Sequence, residues 1–183
     1  MFSRFTISQK LSLGFGLIIL IICIMVAVVR DAFSKIDEAT NWNIHTYTVL
    51  EASNKLLISL TNIETGMRGF ALSGDDDFLA PLIAGKNNFG QVHGELVKLT
   101  SDNPAQQQRL AELKVIQQKW FGEDIEGTVA LRRSMVAGKA TIDDVVKRIK
   151  DRQDKAKMDG MRKLIADLQQ DEQKLLSDSP RVS

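Results

Sequence analysis

The 183-residue chain is poor in the residues that build most catalytic and metal centres: one cysteine, two histidines, one tyrosine and three prolines. A single cysteine excludes an intramolecular disulfide and any multi-cysteine metal site. His45 and His93 stand 48 positions apart and offer no spaced ligand set for zinc. No paired carboxylates, Ser/His or Cys/His arrangement stands out, so the chain reads as a non-enzyme without cofactor or metal. Strand signals are missing as well, with no alternating β-branched runs and no Asn-Gly turn. A basic footprint for nucleic acid is also lacking. Residues 1–30 hold Arg4, Lys10, Arg30 and no acid, which leaves 21 bases against all 23 acids in the remainder.

The positive signals begin with Leu11–Val29, 19 residues without a charge. As a helix the run covers roughly 28 Å, close to the hydrocarbon thickness of a bilayer. Lipid offers no partner for backbone amides, so the run must be helical there. Gly14 and Gly16 are tolerated in membrane spans. The run is longer than a signal-peptide core and ends at Arg30-Asp31 without a small-residue cleavage site, which favours an uncleaved anchor. Cys23 inside it reads as a small apolar residue. Lys and Arg near the two ends tie, and the very short head breaks the tie towards an N-in anchor that exports the rest of the chain. The expected organisation is a cytoplasmic head at 1–10, a transmembrane helix at 11–29, an extracytoplasmic helical domain at 30–177 and a tail at 178–183. That corresponds to a single-pass protein of a bacterial inner (plasma) membrane.

Beyond the span, apolar spacing is helical throughout. Leu56, Leu60, Ile63, Met67 and Phe70 belong to a stripe that continues the membrane helix. Ser73-Gly74-Asp75 reads as a stop and restart, with Gly74 past the helix end and an Asp as the next cap. A second helix is expected over about 77–99, made irregular by Gly85, Gly90 and Gly94. Asn103-Pro104 opens a third helix that runs to about Val136. Thr141 with Asp144 caps a fourth, read as one helix through Leu176. The predicted fold is all-α: an N-terminal transmembrane helix continuing into an elongated antiparallel four-helix bundle.

The densest local signal is Ile63-Glu64-Thr65-Gly66-Met67-Arg68-Gly69-Phe70. Glu64 and Arg68 have the favourable acid-first spacing for a helical ion pair. Two glycines inside a helix together cost about 2 kcal/mol, which close approach of a neighbouring helix would offset. The residues themselves leave two readings open, a packing notch or a ligand contact. Glu64, Thr65, Gly66, Arg68 and Gly69 are therefore a candidate helix-packing and signalling motif, with His45 and Arg68 as ligand-contact candidates. Bland readings stand beside the sharp ones elsewhere: His93 as an interior histidine, Trp120-Phe121 as core fillers, and the basic run Lys147, Arg148, Lys150, Arg152, Lys155, Lys157 as a solvated face.

The octapeptide, with Leu72-Ser73-Gly74, Phe78-Leu79, Asn103-Pro104, Gln107, Met158-Asp159, Arg162 and Asp171–Leu176, resembles the third type of the CHASE family. These are helical sensory modules displayed outside the membrane by bacterial receptors. The resemblance spans roughly residues 31–177. The opening Ile7–Gly16 is similar to the start of methyl-accepting chemotaxis receptors. The resemblance implies an extracytoplasmic sensory module, a homodimer, of a transmembrane receptor of chemotaxis type, sensing a small molecule or a periplasmic binding protein. A sensor-kinase input domain and a stand-alone, membrane-tethered regulatory partner are the alternatives. Family members continue into a second span and an output domain, and no such segment occurs in these 183 residues, so output is expected from elsewhere.

Overall fold

A computed structural model of the chain describes residues 6–151 and 153–178. Residues 1–5 of the expected head, Arg152 of the basic run and residues 179–183 of the expected tail lie outside the described residues. Two compact units divide the chain, one reaching Ile44 from the N-terminus and one comprising His45–Asp178.

The first helix, α1, spans Ile7–Ser73. Its most apolar 18-residue window has a mean hydropathy of 3.0 with none of its surface buried in the protein, as a candidate membrane span requires. Leu17, Ile18, Ile19, Leu20 and Ile22 each leave half or more of their surface exposed. Water disfavours such a face, whereas hydrocarbon does not.

The second unit is all-helical among the described residues. Within α1, Val49, Ala52, Leu56, Leu60, Ile63 and Met67 recur every three or four positions and are all at most 2% exposed. This is the stripe a helix needs to lie against others. Gly74 ends α1 with φ +74°, its N–H bonding Phe70 O at 2.8 Å. Asp75 then caps a 3₁₀ turn, Asp76–Phe78, by accepting the Asp77 N–H at 3.0 Å. The second helix, α2, runs Leu79–Leu99 and turns Leu82, Phe89 and Leu96 inward. Asn103 caps α3 (Pro104–Lys119), with proline in the first turn where no amide hydrogen is missed. A π-helical stretch, Trp120–Glu126, comes next and leads into α4 (Gly127–Val136). Thr141 and Asp144 form a reciprocal capping box on α5 (Ile142–Lys150), and α6 covers Gln153–Asp178. Helix α3 packs on α2 and α6, and α4 packs on α5. Met158, Met161, Ile165 and Leu168 complete the core from α6.

Three expectations do not hold against the observed helices. The second helix is regular over 21 residues. Gly85 is buried where α1 comes close, and Phe89, His93 and Leu96 anchor the rest. Packing therefore overrides the low propensity of its glycines. The fourth helix is two, α5 and α6, interrupted around Asp151. Between Ile149 and Met158 the only apolar residue is Ala156, so nothing there holds a continuous helix on the core. The third helix is interrupted by the π-helical stretch, which periodicity alone did not suggest.

Candidate functional site

The motif on α1 lies where helices meet. Gly66 is buried, and a Cβ placed on it would stand 2.7 Å from Phe78 O and 2.9 Å from Leu82 N. A Cβ on Gly69 would overlap the Phe78 ring. The absence of side chains at both positions is what lets α1 touch the Asp76–Phe78 turn and the start of α2. On the turn of helix between them, Glu64 pairs with Arg68 at 2.8 Å and is itself only 12% exposed. Both residues then reach α6. Arg68 lies 3.7 Å from Asp154, and Arg162 donates to Glu64 at 3.4 Å. The motif's charges thus join α1 to α6, while its glycines join α1 to α2. Thr65 faces solvent.

His45 and Arg68 do not come together; 23 positions along one helix separate them by roughly 34 Å. His45 is half-buried and near Glu172 of α6, whose carboxyl is held above the ordinary range. Burial raises it, against the charge of His45 and the Gln106 hydrogen bond at 3.4 Å. His93 is buried, stacks on Phe89 and donates from Nε2 to Leu110 O at 2.9 Å. A carbonyl can only accept, so the proton sits on Nε2. This is a satisfied interior histidine.

The basic run is only partly a solvated face. Lys157 donates to Glu123 at 2.6 Å and Asp124 at 2.7 Å. Burial by itself would lower the Lys157 ammonium, but those two carboxylates raise it above its usual value. Arg148 donates to Thr128 Oγ1 at 3.0 Å and to Glu123 O. Trp120 and Phe121 are buried.

Sequence reasoning missed the π-helical stretch, although three cavities converge on it. The first, about 760 Å³, lies between Leu79–Lys86 of α2 and Phe121–Ala137. A second of about 400 Å³ lies beside His93, Phe121 and Gly122. The third is about 140 Å³, polar, and bounded by Met67, Glu123, Asp124 and Arg148. Helices with i→i+5 bonding are rare and concentrate at functional sites. Burial in the structure shows why the wider turn is needed. Leu113, Gln117, Phe121 and Ile125 are all buried at successive spacings of four. In a pure α-helix each such step drifts roughly 40° around the axis, and three steps would carry the last residue off the core face. A wider turn cancels the drift.

The CHASE3 domain model matches residues 39–180. No curated protein and no solved structure matches the chain. The matched segment contains the Glu64–Gly69 motif, its partners on α2 and α6 and all three cavities, and the chain belongs to the CHASE3 family of extracellular sensory domains.

Proposed function

We propose that this chain is the extracytoplasmic sensory input of a bacterial transmembrane receptor of chemotaxis type. It would work as a homodimer anchored in the plasma membrane by residues 11–29, with residues 30–177 outside. The observation that carries the reading is the double role of one turn of α1: Gly66 and Gly69 seat α2 while Glu64 and Arg68 hold α6. A change in how either neighbour packs is a change at α1, and α1 begins at Ile7, ahead of the candidate span. A ligand shifts such an arrangement only by its differential affinity for two packings. An exposed apolar series on α1, Tyr47, Ile58 and Leu72, supports the homodimer.

Two experiments test it. Protease added to intact spheroplasts should cut beyond Arg30; protection until lysis would end the receptor reading. Joined to a methyl-accepting output module, the Gly66→Ala and Phe78→Ala variants should change the kinase baseline. An unchanged baseline in both would remove the motif from signalling. For the dimer, Ile58→Cys in a Cys23→Ser background should form an oxidant-dependent cross-link between copies.

A further inference from the structure

The cavity between α2 and the π-helical stretch has the make-up of a small-molecule site. Leu79, Leu82 and Ile83 form one wall, and Phe121, Ile125 and Val129 form the other. Its volume of about 760 Å³ is within the range of ligand clefts. Charge at its border is one-sided. Lys86, Arg133 and Lys139 line it against one acid, Glu126. Lys86 lies 3.5 Å from Glu126 and 3.9 Å from the centre of the Phe121 ring. Arg133 is 3.7 Å from Asp76, and Lys139 has no ion-pair partner among the described residues. The inner surface is thus apolar and the border carries excess positive charge.

We infer that this cleft binds an amphipathic organic anion, a single carboxylate on an apolar body. The body would lie on the leucine and phenylalanine walls, with the carboxylate among Arg133, Lys139 and Lys86. The inference deepens the sensory reading and rests on it, because the cleft and the motif share a residue. Leu82 lines the cleft, and its backbone N and Cβ are the atoms packed against Gly66. A body pressed on Leu82 therefore acts on the glycine notch of α1. On the far side, Phe121 and Ile125 belong to the π-helical stretch.

The test uses the full chain in amphipol, with octanoate and 3-phenylpropionate as probes and octanamide as the neutral control, followed by calorimetry. At least one anion should bind saturably, about tenfold or more tighter than the amide, since losing a charge-assisted contact costs at least that factor. Ala130→Trp, at an exposed position of the lining, should obstruct the cleft and abolish binding while the circular-dichroism melt is kept. Arg133→Gln with Lys139→Gln, both at the surface, should weaken the anion about tenfold and leave the amide unchanged. Absence of saturable binding by both anions, equal binding of the amide, or anion binding that survives both sets of variants would overturn the inference. Such a failure, with the spheroplast and kinase-baseline experiments succeeding, removes the ligand class and leaves the sensory reading. Binding that holds while spheroplast digestion fails retains the cleft and removes the receptor.

Discussion

Substitution separates a glycine held by close packing from one with open space around it. At Gly66 an added methyl meets backbone atoms at 2.7 and 2.9 Å, which cannot yield as a flexible side chain can. Gly66→Ala should destabilise the fold by about 1–3 kcal/mol through overpacking. Gly94 on α2 has open space where its Cβ would be, so Gly94→Ala should stabilise by about 0.5–1 kcal/mol. Urea midpoints of the two variants should therefore move in opposite directions. Glu172 makes a prediction about pH. Burial holds its carboxyl above the ordinary 4.5, so the folded chain takes up a proton more readily than the unfolded one. Its contribution to stability is complete below about pH 4.5 and is lost as pH rises through the raised folded value. Glu172→Gln removes that slope. Across urea titrations from pH 7 to 4.5, the wild-type midpoint should gain on the variant's as pH falls. A constant difference would show that Glu172 does not titrate in this window.

At the scale of elements, packing and caps matter more than propensity. Helix α5 is nine residues long, too short to persist alone in water. Its capping box, with Thr141 accepting the Asp144 N–H and Asp144 accepting the Thr141 N–H, fixes its start. Thr141→Ala should cost about 1 kcal/mol, read as a lower urea midpoint, with hydrogen exchange of α5 amides rising more than that of α6 amides. Of the helix ends, those at Gly74, Asn103-Pro104 and Thr141 could be read directly, because caps are local chemistry. The break near Asp151 and the π-helical stretch could not. Each depends on whether distant apolar residues reach the segment.

At the scale of the whole molecule, the two units meet different demands. Residues 11–29 expose an apolar surface suited to hydrocarbon, whereas the second unit buries a core of its own. A chain of residues 39–180, the span that matches the family, should therefore remain soluble, helical and cooperative in melting without the apolar run. A broad, non-cooperative melt of that chain would show that its core is incomplete. Two polar links join α3 to α6, one buried and one partly exposed. Gln106, fully buried, donates to Leu168 O and Glu172, and Arg109 pairs with Asp171 at 2.7 Å. Buried polar groups persist only when satisfied, so the bonds of Gln106 specify which helices adjoin.

By itself the sequence determined the helical class, the apolar segment, the caps and the Glu64–Gly69 turn. Each of these rests on local periodicity or on residues within a few positions of one another. Only the tertiary structure decided what that turn touches, because Phe78, Leu82, Asp154 and Arg162 reach it from other helices. The same holds for the cleft between α2 and the π-helical stretch: its walls come from segments some 40 residues apart, and its existence depends on how closely two packed surfaces approach.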